Sequence, residues 1–313
     1  MKNTGKPPFD DEELGPRMGG IALKNGLILL TERHWAAAIR EANGSINVAS
    51  GKKARLPGSG ESAEAAPTGA PRSGAAAPSG TAPDRPAGVP VVRGLERFAE
   101  TIMVLGTVKR HLPNARLPLE GGRVLAALAA ALAAGSAVKA FAPKSAVVQE
   151  TGQALASFVP AVLALKGSAI SGYHGAEHKV IGGREAALRA AGAAETPVVV
   201  GDSAAAAKEH DRCGTNLVGP YLLATVVTNI FARGRSGAKT PAASAVAGAA
   251  SLGLALEALR WASRHGDSIL ARLMLSPGRL VQKTLTTAEP TPEQLEVGER
   301  ALTELMRLET AGA

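Results

Sequence analysis

The chain has 313 residues, 45% of them hydrophobic, with a formal net charge of +8, a pI near 9.8 and a mean hydropathy of +0.06. That length supports one large or two modest domains with a proper core, and a lone cysteine, Cys213, excludes an intrachain disulfide. Only 3% of residues are aromatic and no basic run is longer than Lys52-Lys53, so stacking-based or stripe-like nucleic-acid binding is not expected; anionic membrane lipid accounts better for the basic excess.

Residues 1–48 read as a small β-rich unit. The polar stretch Met1 to Arg17 has no apolar core followed by a cleavage site, and is not expected to be a secretory signal. Ile21-Ala22-Leu23 and Leu27 to Leu30 flank Asn25-Gly26, a two-residue hairpin signal; Trp35 to Arg40 and Ser45 to Val48 flank a second turn at Asn43-Gly44. Residues 49–88 consist largely of Ala, Pro, Ser and Gly and cannot bury enough surface to offset chain entropy, which predicts a disordered linker.

Residues 89–313 read as a helical domain. Leu95, Phe98, Ile102 and Leu105 recur at helical spacing between Arg93 and Lys109. Ala-rich apolar stretches follow at Val124 to Ala142, Val147 to Leu165, Leu217 to Phe231 and Ala242 to Leu256. A bilayer span needs about 20 predominantly apolar residues. Although Lys139, Gln149, Glu150 and Asn229 interrupt these runs, their small residues suit close helix packing in a membrane. The expected fold class is therefore mainly α: a multi-helix membrane-embedded bundle with a small β-hairpin unit at the N-terminus. If all four stretches cross, Lys166 to Asn216 lies on the same side as both termini, with the cytoplasm as the default. Near the carboxy terminus, Ser276-Pro277-Gly278 predicts a turn and Glu293 to Met306 an amphipathic helix.

The chemistry concentrates at 173–216. In His174-Gly175-Ala176-Glu177-His178 two imidazoles stand four residues apart, so on a helix they project from one face, with Cβ atoms about 5–6 Å apart. One divalent ion can reach both rings. Glu177 sits on an adjacent part of the surface, placed to take a proton from, or to orient, an attacking water. This His-x-x-Glu-His order is the inverted zinc-peptidase motif.

A second cluster, His210 to Thr215, brings His210 and Cys213 three residues apart. A third ligand comes from His210, Cys213 or Glu185. Glu185 lies seven residues beyond His178, about 10 Å away on a continuous helix, unless Gly182-Gly183 breaks it. Three protein ligands leave a position for chemistry, whereas a His₃Cys set of four makes a closed, structural site. Tyr173, Lys179 and Arg212 flank these motifs and are expected to bind substrate, Lys179 and Arg212 through charge-assisted bonds to carboxylate or phosphate.

Tyr173-His174-Gly175-Ala176-Glu177-His178-Lys179 and Arg212-Cys213-Gly214-Thr215-Asn216, with Met18-Gly19-Gly20, Pro90 to Gly94, Thr286 to Pro290 and Glu293 to Val297, resemble the bacterial family of predicted metal-dependent membrane proteins typified by YqhQ, a domain of unknown function. The resemblance implies a multi-helix protein of the bacterial inner membrane, with no established reaction. Lys24-Asn25-Gly26, Gly183-Arg184-Glu185 and the long linker depart from the family pattern; the metal-site residues do not.

Together these readings predict a metal-dependent, zinc-type membrane hydrolase acting on a peptide or other acyl substrate. His174, His178, His210 and Cys213 are the candidate ligands of Zn²⁺ or another divalent ion, and Glu177 is the general base. The alternative is a membrane scaffold or assembly factor with a structural metal.

Overall fold

The computed structural model of the protein describes residues 16–56, 90–118, 120–143, 145–191, 200–210, 213–233, 240–266 and 268–311. Four strands open it: β1 (Gly19–Ala22), β2 (Gly26–Leu30), β3 (His34–Arg40) and β4 (Ile46–Lys52), paired antiparallel in sequence order. Helices α1 (Pro90–His111), α2 (Gly122–Phe141), α3 (Ala146–Leu165), α4 (Ala169–Ala191), α5 (Val218–Ala232), α6 (Pro241–Arg264), α7 (Ile269–Val281) and α8 (Pro292–Ala311) follow. The protein is mainly helical, with a small sheet at its amino-terminal end.

Strand alternation builds the core around this sheet. Leu27, Leu29, Ala36 and Ala38 face one side, where Val180 and Ile181 of α4 and Val297, Leu302 and Leu305 of α8 cover them. Ile28, Leu30, Trp35 and Ile39 face the other, against Val104 and Val108 of α1. Each large side chain fully buried this way contributes about 1.5–3 kcal/mol relative to exposure. The sheet is thus the middle layer of a sandwich with helices from distant parts of the chain.

The two expected hairpins form, but with different turn chemistry. A type I′ turn at Asn25-Gly26 needs positive φ at both residues, and neither has it. Instead Leu23 N–H donates to the Gly26 carbonyl, and Gly26 already belongs to β2. Glycine is required there because a Cβ would lie 2.1 Å from the Ala38 oxygen. Gly44, by contrast, has φ 87° and closes the second turn as its N–H donates to Glu41.

β4 continues to Lys52, past the expected strand end at Val48, because Ala49, Ser50 and Gly51 pair with Ala37, Ala36 and Trp35. Of the rest of the expected linker, 53–56 are described and residues 57–88 lie outside the described residues. In α1, Phe98 and Ile102 are 39% and 48% exposed, and Val104 and Val108 form the sheet-facing stripe instead. No turn interrupts Ser276-Pro277-Gly278, since α7 runs through all three. A π-helical turn, Gln282–Thr286, then leads toward α8.

Among the described residues, three helical segments are long and apolar enough to cross a membrane: Gly122–Phe141, Gly214–Ala232 and Ala242–Arg264. α2 has no buried residue, and Leu125, Leu128, Leu132 and Phe141 are all exposed on it. α3 and α4 pass the same test only as a pair bent by 86°. The carboxylate that interrupts α3, Glu150, is buried and accepts from Arg233 Nε at 2.8 Å, while Arg233 also donates to Gln149 at 3.1 Å. Pairing between α3 and the end of α5 reduces the cost of that charge.

Candidate metal centre

Helix α4 presents three chemically different faces. Gly172 and Gly175 lie where the chain from Ala288 to Gln294 crosses it; a Cβ on Gly175 would stand 2.0 Å from the Ala288 oxygen. Tyr173, Ala176 and Val180 face the sheet and α8. His174, Glu177, His178 and Ile181 line a cleft of about 510 Å³, whose other walls include β1, the turn between β2 and β3, the end of α3, and His210 with Cys213, Gly214 and Thr215.

Within that cleft one nitrogen each of His174 and His178 and the sulfur of Cys213 lie within 4.8 Å of one another. The two rings are 4.5 Å apart, edge to face. Each imidazole is oriented by a backbone carbonyl: His174 Nδ1 lies 2.9 Å from the Thr286 oxygen and His178 Nδ1 lies 2.6 Å from that of Lys208. A carbonyl only accepts, so both Nδ1 atoms carry the proton and both Nε2 atoms expose a lone pair. His174 Nε2 meets Cys213 Sγ at 3.1 Å, which makes the thiol the donor. Among the described residues, His178 Nε2 is buried with no hydrogen-bond partner.

Donor atoms around a tetrahedral zinc stand about 3.3–3.6 Å apart, given Zn–N near 2.0–2.1 and Zn–S near 2.3 Å. Small side-chain movements therefore suffice for this trio to hold an ion. The unsatisfied His178 Nε2 fits that reading, since a buried ring nitrogen without a partner costs about 1–3 kcal/mol unless something binds it.

The Cys213 segment is held by its own network. Cys213 is the residue before a 3₁₀ turn, Gly214–Leu217, and its Sγ accepts from Thr215 Oγ1 at 3.1 Å and Thr215 N–H at 3.5 Å. Gln282, fully buried, accepts from the His210 N–H at 3.0 Å and donates to Asn216 Oδ1 at 3.0 Å. The π-helical turn that begins at Gln282 ends at Thr286, whose carbonyl orients His174. One short segment thus positions both halves of the site.

Glu177 is buried against β1, and a Cβ on Gly20 would lie 2.6 Å from its carboxyl carbon. Burial pushes its carboxyl above the usual carboxylate range, while His174 and His210 pull it partly back. α4 is not one of the three membrane-length segments, and it packs against β1, β2 and α8.

Other expected site residues are placed elsewhere. Tyr173 is buried in the sheet-facing core, where burial raises its phenol and Arg40 partly offsets the effect. Lys179 also turns away from the cleft, its Nζ 2.5 Å from Glu289 Oε1 and 2.8 Å from the Ala204 oxygen. Neither is among the residues that line the cleft, so the expected substrate role of these two side chains has no support from its geometry. Arg212 lies outside the described residues.

His210 lines the cleft, its ring 5.9 Å from that of His178, but it stands outside the close trio. Its Nε2 lies 3.5 Å from Glu185 Oε2. Because α4 is continuous through Gly182-Gly183, Glu185 approaches the cluster through His210. The orienting carbonyls of Thr286 and Lys208 carry no side-chain signal in sequence. Gln282 lies in the mixed stretch Arg279 to Thr287, where its neighbours give no signal of the contacts it makes.

Residues 158–308, which contain His174, Glu177, His178, His210 and Cys213, match the family model described as "Protein of unknown function (DUF1385)". No curated protein and no solved structure matches the chain.

Proposed function

We propose that the protein is a metal-dependent hydrolase of the membrane surface, with His174, His178 and Cys213 as ligands of Zn²⁺ or a similar divalent ion and Glu177 as general base. The observation that carries this reading is the Nε2 of buried His178, unpartnered among the described residues, beside a second imidazole and a thiol, each imidazole already oriented by a carbonyl. A bound ion would supply Lewis acidity to an acyl oxygen and to water. Three ligands leave a coordination position open, whereas recruitment of His210 as a fourth would close it and favour the scaffold reading.

The chain's own residues then complete the reaction. Water oxygen bonds to the acyl carbon while one water proton passes to Glu177. Glu177 returns that proton to the leaving nitrogen as the C–N bond breaks, giving a carboxylic acid and an amine. The Gly20 backbone beside Glu177 confines the carboxyl to the cleft.

Membrane attachment belongs to the same proposal. The exposed apolar surface of α2 suits lipid as its solvent. The cleft includes Leu165, at the end of α3, and Gly214, at the start of an apolar segment, so it adjoins the ends of candidate spans. We place the protein in the bacterial inner membrane with site and termini on the cytoplasmic side. Metal dependence and kinship with the family typified by YqhQ, both implied by the sequence resemblance, form part of this reading.

The test is metal analysis of purified protein together with turnover of a peptide library. Wild type should carry one ion per chain, His178→Ala none, and Glu177→Gln a full complement with hydrolysis reduced by at least 100-fold. Metal-free wild type that still turns over substrate, or a fully active Glu177→Gln, defeats the proposal.

A further inference from the structure

The substrate class follows from what forms the wall opposite the histidines, and it rests on the hydrolase reading for the catalytic end of the cleft. Among the described residues β1 is the outermost strand, and one of its edges has no neighbouring strand there. Gly19 to Ala22 all line the cleft together with His174, Glu177 and His178. Their described backbone hydrogen bonds run to β2, in the register Gly19↔Leu30 to Ala22↔Leu27. Every second residue of the strand therefore directs an N–H and a carbonyl toward the cleft.

Exposed edges are commonly blunted by charges, prolines or bulges, and Gly19-Gly20-Ile21-Ala22 carries none of these. Gly19 is exposed, and a Cβ there would meet nothing within 4 Å. Gly20, one residue on, touches the Glu177 side chain. The open edge and the carboxylate are thus neighbours, with no β1 side chain standing between them at the glycines. Four residues of strand span about 13 Å, enough for three or four peptide units to pair. Apolar side chains such as Leu165, Ile170 and Ile181 line the same space.

We propose that the cleft binds an extended peptide as an additional strand on the open edge of β1, which lays one of its peptide bonds beside Glu177 and the His174–His178–Cys213 trio. Main-chain hydrogen bonds supply the affinity, and the apolar wall selects the side chains of alternate residues. The occupant is an unfolded or extended segment, because a helix keeps its amides for itself.

The experiment uses full-length Zn²⁺-treated Glu177→Gln protein in detergent, so that binding is read without cleavage. Its probe is a fluorescent library of N-acetylated, C-amidated hexapeptides with apolar residues at the two central positions. A matched library with alternate backbone amides N-methylated serves as control. Expected are saturable binding, at least tenfold weaker binding of the N-methylated set, and slowed amide exchange within residues 19–22 on peptide addition. Absence of binding, equal binding of the two libraries, or unchanged exchange in β1 overturns strand addition. Turnover by wild type separates the two readings. Cleavage without β1 protection leaves the hydrolase and removes the strand site; β1 protection without cleavage does the reverse.

Discussion

His174 Nε2 and Cys213 Sγ, 39 residues apart in sequence, meet at 3.1 Å. With His174 Nδ1 committed to the Thr286 carbonyl, the thiol proton occupies the line between them. That proton is the one an incoming cation displaces, because the thiolate is the ligand form.

Metal uptake should accordingly release a proton from Cys213. Co²⁺-loaded wild type should show thiolate-to-metal charge-transfer absorption that Cys213→Ser lacks, and bound metal should shield the sulfur from alkylation. Cys213→Ala should weaken binding by more than the roughly 100-fold expected for changes outside the ligand set, read by chelator competition. An absorption band unchanged in Cys213→Ser removes this residue from the site.

The glycines of α4 give a paired prediction of opposite sign. A Cβ at Gly175 would meet the Ala288 oxygen at 2.0 Å, and backbone cannot move aside as a side chain can. Gly175→Ala should destabilise the fold by about 1–3 kcal/mol and, by moving the strand of chain next to Thr286, weaken metal binding. At Gly182 the nearest atom to a Cβ is the Ala206 methyl at 3.7 Å, an ordinary contact. Gly182→Ala should be neutral or stabilise by up to about 1 kcal/mol through helix propensity. Thermal unfolding of the two variants beside wild type checks both signs.

The parts of the site readable in sequence were those fixed by local spacing. His174 and His178 share a face because they are four apart, and Glu177 joins them because it is three beyond His174. The same geometry explains where the neighbours of the motif point. Tyr173 and Lys179 are adjacent to histidines in sequence, but each step along a helix rotates by about 100°, which turned one into the core and the other toward Glu289. The choice among Cys213, His210 and Glu185 depended on how a distant segment is pinned by Gln282, a tertiary contact with no periodic signature. In the fold, alternation and turn residues disclosed the hairpins, while the union of sheet, α4 and α8 depends on contacts between residues more than a hundred positions apart.

That union is fastened near the end of α8 by Glu309, which sets the protein's expected response to acid. Its buried carboxylate accepts from Thr31 Oγ1 at 2.5 Å, contacts His34 Nδ1 at 2.8 Å on β3 and pairs with Arg33 at 2.8 Å in the β2–β3 turn. Burial alone would raise its pKa, but the hydrogen bonds from Thr31, His34 and Arg33 together outweigh it and hold the carboxyl below its ordinary value. A carboxyl depressed in the folded state adds stability that is fully present above its unfolded pKa, near 4.3, and is lost as pH falls through the lower folded value. Glu309→Gln keeps the shape and removes the charge, so it should cost about 1–3 kcal/mol at neutral pH, the scale of a charged hydrogen bond. The difference from wild type should stay constant from pH 6 to about 5 and narrow below about 4. Unfolding midpoints followed by fluorescence of Trp35, which lies in the same sheet, measure it; a gap that widens on acidification would show that Glu309 is not held ionised by these partners.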